Sequence, residues 1–203
     1  RLVIAKGPPA VGGMGGDLAA LESWRKDIHA GILIGPRLYF PGPMLDGGKS
    51  EPPALLAVST PNEGRAAVRN LKAKGADFIK VLSGVSRDAY FALIERARKY
   101  YVPVAGHVPA SVSLMEAIDA RQKSVEHMTG ILMACSKRED KLRNRLLLAI
   151  EKKDWNAYRE IRAEALDTFD TAKAAELFER MARFETREVP TLIMLRRSIY
   201  ADA

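Results

Sequence analysis

A repeated alternation of strand and helix patterns, from about residue 60 to residue 127, constrains the fold more than any other feature of the sequence. Thr60-Pro61-Asn62-Glu63 predicts a helix start, because it combines a threonine N-cap, a proline in the first turn and a glutamate placed to close a capping box. This helix should end near Gly75. The following elements are a strand over 77–82, a helix from Ser86, a strand over 101–106, a helix from Ser113 and a strand over 124–126. The alternation predicts parallel βαβ units with right-handed crossovers, which both α/β barrels and doubly wound sheets contain.

The preceding segment predicts one further helix and one further strand. Residues 17–30 show helical spacing of apolar side chains, with Asp17 as the N-cap and Gly31 just beyond the end. Residues 37–40 predict a short strand. A loop rich in glycine and proline is expected over 41–53, and loops of that length are usually functional or mobile.

Residues 138–185 break the alternation. They contain no proline and are rich in alanine, leucine, glutamate, lysine and arginine, which predicts two or more helices. Their leucine and methionine side chains and Trp155 are expected to pack in ordinary helix–helix contacts. Because a strand pattern resumes over 189–194, we interpret this block as a helical insertion in a βα loop, within one partial barrel domain spanning residues 1–203.

The charge of the chain invites a nucleic-acid interpretation, which its distribution opposes. The net charge is +7, but the basic residues between 137 and 154 alternate with acidic ones, as on a solvated helix face. No basic groove interleaved with aromatic residues accompanies them. We therefore predict no nucleic-acid partner. The minor alternative, a basic binding module, predicts salt-sensitive nucleic-acid affinity.

Two further classes are disfavoured by composition. The single cysteine, Cys135, excludes an internal disulfide and a cysteine-based zinc site, and is interpreted as a structural thiol rather than a reactive one. No apolar run reaches the roughly 18 residues that a membrane-spanning helix needs. We therefore predict no membrane partner, and the sequence leaves the cellular location open.

Lys80, His107 and His127 share one position in the predicted fold. Each lies at or just past the C-terminal end of a predicted strand, and the three strands follow one another along the chain. In a parallel barrel that face carries the active site. Neutral imidazole is the commonest metal ligand in proteins, so the two histidines suggest a metal site. His29, on a helix among charged residues, has no such placement.

Lys80 requires a separate account, because an ammonium group has no lone pair for a metal and would repel it. A buried lysine can instead react with CO2, and the resulting carbamate is an anionic oxygen ligand that can bridge two ions. The alternative is that Lys80, His107 and His127 are hydrogen-bonded core residues without a ligand role.

Several runs of the sequence resemble the amidohydrolase superfamily, in particular its imidazolonepropionase-like and prolidase-like members. These runs are Gly75-Ala76-Asp77-Phe78-Ile79-Lys80-Val81, Val104-Ala105-Gly106-His107-Val108-Pro109, Ser124-Val125-Glu126-His127, Gly35-Pro36-Arg37 and Val189-Pro190-Thr191-Leu192. The resemblance spans most of residues 15–193 and is weakest in the helical block. It implies a partial (β/α)8 TIM-like barrel holding roughly the third to seventh strands.

The resemblance also implies a chemistry. Lys80 would be the carboxylated lysine of the fourth strand, and His107 and His127 would be metal ligands of the fifth and sixth. The expected cofactor is a divalent metal, one or two zinc ions, which lowers the pKa of a bound water for attack on a small-molecule substrate. The expected function is hydrolysis of a cyclic or peptidic amide bond, with lactones or other esters as variants. The rival expectation is a non-catalytic fragment or scaffold that keeps the fold without a metal centre.

Three departures from the family pattern shape these expectations. The His-x-His pair of the first strand has no counterpart, and the aspartate that follows the eighth strand would lie beyond Ala203. Residues 7–13 do not look like a regular strand. We therefore expect this chain alone to be inactive, with the missing strands supplied by a homo-oligomer or by further sequence. No catalytic base is assigned within the chain.

Overall fold

The computed structural model describes residues 7–48, 53–193 and Arg196. The chain divides into two compact units, with the boundary between Val104 and Ala105. Each unit is described by itself.

The first unit contains short parallel strands and three long helices. Its elements are β1 (Ala10–Gly12), α1 (Leu18–His29), β2 (Arg37–Tyr39), β3 (Met44–Asp46), β4 (Leu55–Ala57), α2 (Pro61–Ala73), β5 (Ile79–Val81) and α3 (Arg87–Lys99). Strands β1 and β2 pair in parallel, and β3 pairs in parallel with both β4 and β5. The N–H of Ile79 also donates to the carbonyl of Pro103 at 2.9 Å, at the entrance to the next strand.

The predicted helix signals of this unit are confirmed. Thr60 and Glu63 form a complete capping box, and Asp17 and Ser86 cap their helices through side-chain oxygens. Caps of this kind are each worth about 1 kcal/mol. Gly75 has a φ of +88°, a left-handed conformation that suits the glycine just past a helix end.

Two sequence expectations for this unit were wrong. The predicted loop over 41–53 contains strand β3, whose central residue, Leu45, is fully buried. The stretch over 7–13 contains β1, which gains its regularity by pairing with β2. In both places a three-residue strand is too short to show period-2 patterning, and the partner strand decides the conformation.

The second unit begins within a parallel strand and is mainly helical. Its elements are β6 (Val104–Gly106), α4 (Leu114–Asp119), β7 (Ser124–Glu126), α5 (Ile131–Ala134), α6 (Glu139–Glu151), α7 (Trp155–Asp167), α8 (Thr171–Phe184) and β8 (Arg187–Val189). Strand β7 pairs in parallel with both β6 and β8. Ser113 and Glu116 form the predicted capping box of α4.

Helices α6, α7 and α8 occupy the block that the sequence marks as helical. Leu142 and Ile161 are almost completely buried in a small core of this block. The expectation that Trp155 packs there was wrong: it is the first residue of α7 and is 60% exposed. Cys135 is buried nearby, and burial raises the pKa of its thiol, consistent with a structural role.

The last predicted strand lies earlier than expected. The sequence pattern placed it over 189–194, whereas β8 ends at Val189. Pro190 has no N–H to continue the ladder, and Thr191 adopts a φ of +47°, so the strand stops there. Met194 lies outside the described residues.

The architecture confirms a partial α/β barrel type of fold. All strand pairs in the two units are parallel, and no complete barrel closes within the described ranges. The same ranges contain no helix that is both long enough and apolar enough to cross a bilayer.

Candidate metal centre

Lys80 is the central residue of β5 and is almost completely buried, with 2% of its surface exposed. Both of its strand neighbours, Ile79 and Val81, are fully buried as well. Burial disfavours the ammonium form and lowers the pKa of Lys80 to about 8. About a tenth of this side chain is therefore the neutral amine at pH 7, far more than in an ordinary lysine, and the neutral amine is the form that reacts with CO2.

The strand ends of the first unit are held together by an aspartate that the sequence did not single out. Asp46, the last residue of β3, accepts hydrogen bonds at Oδ1 from the N–H groups of Gly47 and Gly84, both at 2.9 Å. Gly84 belongs to the loop that follows β5. Sequence reasoning missed Asp46 because it fell within a predicted loop.

His107 follows β6, and a buried glutamine fixes the backbone around it. The Nε2 amide of Gln122 donates to the carbonyls of Gly106, His107 and Ser124 at 3.2, 3.3 and 2.9 Å. Gln122 is fully buried. It thereby joins the end of β6 to the start of β7, from which the second histidine follows three residues later.

His127 lies in a tight turn directly after β7. The N–H of Thr129 donates to the carbonyl of Glu126, and the two residues between them, His127 and Met128, have φ angles of +59° and +57°. Two consecutive positive φ values are typical of a type I′ turn, where glycine and asparagine are preferred. Each residue held in this conformation raises the free energy of the folded state by about 1–3 kcal/mol, and such residues concentrate at functional sites.

The segment from β8 onward supports the His127 turn through three contacts. The N–H of His127 donates to the carbonyl of Val189 at 3.0 Å, and the N–H of Met128 donates to Oε1 of Glu188 at 2.7 Å. The Nδ1 of His127 lies 2.5 Å from the hydroxyl oxygen of Thr191. Burial raises the pKa of Glu188, against the lowering effect of the Met128 hydrogen bond. Sequence reasoning missed Glu188, on the strand beside the histidine, and Thr191, two residues beyond the end of that strand, because both are 60 or more residues away in sequence.

The structure brings His107 and His127 together. Their imidazole rings stand edge to face, with centroids 5.1 Å apart and ring planes at 77°. Zinc lies about 2.0–2.1 Å from an imidazole nitrogen, hence about 3.2 Å from the ring centroid, so two imidazoles on one tetrahedral ion have centroids about 5 Å apart. The observed spacing therefore fits two ligands of a single ion, as well as a simple aromatic contact.

The described residues supply part of a metal site. Within the described ranges, no group of three or more histidine, cysteine, aspartate or glutamate side chains is arranged to hold a metal ion. Lys80 belongs to the first compact unit and the two histidines to the second. His29 is exposed at the end of helix α1 and does not follow a strand, as expected. The ligand roles of Lys80, His107 and His127 remain predictions.

Comparison with known proteins identifies the fold. No protein-family model matches the chain, and no curated protein sequence matches it. Among solved structures, the chain resembles bottromycin amidohydrolase, with a TM-score of 0.58 and 21% identity over 90% of this chain and 49% of that one. It also resembles the ochratoxinase of A. niger, with a TM-score of 0.53 and 19% identity over 90% and 52%. A Xaa-Pro dipeptidase with bound methionine matches at a TM-score of 0.50 and 21% identity over 90% and 54%.

The expected resemblance to amidohydrolase-like and prolidase-like proteins is thus confirmed at the level of the fold. The chain spans about half the length of these solved structures. It shares the fold of part of these structures, a partial α/β barrel.

Proposed function

We propose that the protein carrying this chain is a metal-dependent hydrolase of amide bonds, cyclic or peptidic, with lactones or other esters as variant substrates. The observation that carries the proposal is the 5.1 Å spacing of the His107 and His127 rings at the ends of neighbouring parallel strands. The fold neighbours add support, since those named above are an amidohydrolase, a dipeptidase and an ochratoxinase.

In this proposal the chain contributes two imidazoles and one modified lysine. A zinc ion bound there would polarise the scissile carbonyl and lower the pKa of a water molecule. Gln122 holds the backbone of His107, and the β8 segment holds the ring of His127, so the backbone of one ligand and the ring of the other are held before an ion arrives. Lys80, buried and with a lowered pKa, is suited to become the carbamate that supplies an anionic oxygen.

The remaining ligands and the catalytic base would come from outside the described residues. A second copy of the chain or further sequence would also supply the strands that complete the barrel. By this account the chain alone has little hydrolase activity, because a catalytic zinc generally needs three protein ligands and a water. The rival proposal is a scaffold that keeps the fold but binds no metal.

The test uses the protein that carries this chain. We expect elemental analysis to find zinc and expect hydrolysis of a panel of dipeptides, N-acyl amino acids and lactones to cease on chelation. His107→Ala and His127→Ala should each abolish turnover, while His29→Ala, a histidine on an exposed helix end, should leave it unchanged. Turnover that survives both chelation and His107→Ala would rule out the metal mechanism, and a protein without metal or turnover would favour the scaffold.

The chain alone offers a complementary test. Incubated with zinc and bicarbonate, it should show no appreciable turnover on the same panel. Robust turnover that is abolished by Lys80→Ala would contradict the expected inactivity and show that these residues assemble a working site.

A further inference from the structure

The hydroxyl group of Thr191 makes two short contacts. Its oxygen lies 2.8 Å from the carbonyl oxygen of Pro190 and 2.5 Å from Nδ1 of His127. The geometry with Pro190 is that of a hydrogen bond in which the hydroxyl donates. The contact with His127 can run in either direction, depending on which ring nitrogen carries the proton.

Counting the protons in these two contacts indicates which group donates in the contact between Thr191 and His127. A hydroxyl has a single proton to donate, and a carbonyl oxygen can only accept. With the Thr191 proton directed to Pro190, the hydroxyl oxygen accepts from His127. Nδ1 of His127 therefore carries a proton, and in the neutral ring the lone pair lies on Nε2.

The backbone on both sides of this hydrogen bond is held in an unfavourable conformation. Thr191 has a φ of +47°, which for a β-branched residue is a genuine outlier, and His127 has a φ of +59°. Two strained residues 64 positions apart meet through one side-chain contact. Such strain persists only where the surrounding contacts determine the conformation.

We propose that Thr191 is a positioning residue, whose hydroxyl fixes the tautomer and orientation of the His127 ring and so places the lone pair of the neutral ring on Nε2. A partner on the other ring nitrogen is the usual means by which proteins orient a histidine for ligand binding. This inference deepens the proposed function and rests on it only for the identity of the ligand. The tautomer itself is a property of the metal-free chain.

The decisive experiment is a long-range proton–nitrogen correlation spectrum of the full chain, metal-free and labelled with nitrogen-15. The pH should be well above the usual histidine pKa of about 6.5, so that the rings are neutral. His29→Gln and His107→Gln assign the three ring systems by elimination. We expect the spectrum of His127 to show the Nδ1–H tautomer. A ring in the Nε2–H form, or one averaging between tautomers, would overturn the proposal.

Two variants test the role of the hydroxyl. Thr191→Val keeps the β-branched shape but removes the hydrogen-bonding group, and should release His127 to average between tautomers. Thr191→Ser should restore the Nδ1–H pattern, which a general loss of packing would not allow. Zinc affinity should fall about 10–100-fold in Thr191→Val and stay near wild type in Thr191→Ser. A wild-type pattern in a folded Thr191→Val chain would contradict the role given to the hydroxyl.

The outcome separates this inference from the proposed function. If His127 has the Nδ1–H tautomer but the protein binds no zinc, the assignment stands and the metal-dependent function fails. If zinc binds through His127 although its ring is in the Nε2–H form, the function stands and the role of Thr191 is refuted.

Discussion

Gln122 and His107 are joined by a partly buried hydrogen bond of 3.3 Å, from the amide nitrogen of the glutamine to the backbone carbonyl of the histidine. The same amide also reaches the carbonyls of Gly106 and Ser124, so its two protons serve three backbone acceptors at the ends of two strands, one proton being shared. The position of the His107 backbone therefore depends on a residue that has no chemical role of its own.

Gln122→Leu should be strongly destabilising. The leucine fills a similar volume but leaves buried carbonyl groups unsatisfied, and each such group costs about 1–3 kcal/mol. We expect a fall of about 2–4 kcal/mol in the free energy of unfolding, measured by urea denaturation. The matched control is Lys123→Met at the next position, where only an exposed ion pair with Glu185 is lost, worth at most about 1 kcal/mol. Equal stabilities for the two variants would contradict this role of Gln122.

Gly47 and Gly48 provide a matched pair of substitutions near Asp46. A β-carbon on Gly47 would lie 1.8 Å from the carbonyl oxygen of Gly84, whereas one on Gly48 would meet nothing within 4 Å. Gly47→Ala must therefore push apart the loops after β3 and β5, at a cost of about 1–3 kcal/mol. Gly48→Ala should change the free energy of unfolding by less than about 0.5 kcal/mol. Thermal denaturation of both variants measures the difference, and a Gly47→Ala chain as stable as Gly48→Ala would show that the two loops do not approach so closely.

Lys80 should make the stability of the metal-free chain depend on pH in the alkaline range. Its folded pKa is about 8, below the unfolded value of about 10.4, so between these limits the unfolded chain binds the extra proton. Stability from this group therefore rises as pH increases from about 8 to 10.4, by roughly 3 kcal/mol in total. Lys80→Met should lack this rise and should be more stable than wild type at pH 7. Denaturation in buffers freed of CO2 tests the prediction, and parallel pH profiles for the two chains would contradict it.

The sequence predicted the helices better than the strands, for a physical reason. Helix starts such as Thr60 with Glu63 and Ser113 with Glu116 depend on contacts within four residues. Such contacts can be predicted from residue types at a fixed spacing in the sequence. The strands of this chain are three residues long, and strand β3 was missed because its pairing partners lie elsewhere in the chain. Local patterns carry no information about such partners.

The candidate site also combines residues that a local sequence pattern identifies with residues whose role depends on distant partners. His107 and His127 could be singled out because each follows a strand pattern, and the structure brings their rings together. Gln122 and Thr191 could not, because their importance lies in hydrogen bonds to backbone and side-chain atoms that become neighbours only on folding. Pro190 is the one local signal near Thr191, as a residue that ends a strand.

The central claim is that His107 and His127 bind the same metal ion, and the most direct test is zinc-edge X-ray absorption of the zinc-loaded full chain. We predict two imidazole ligands per zinc in the wild type and in His29→Gln, and no more than one in His107→Gln and in His127→Gln. Zinc affinity, measured by competition with a chelator, should fall in the last two variants by more than the roughly 10–100-fold typical of losing a residue that only orients a ligand. Zinc bound without imidazole ligands, or with an affinity that none of these three substitutions changes, would contradict the claim.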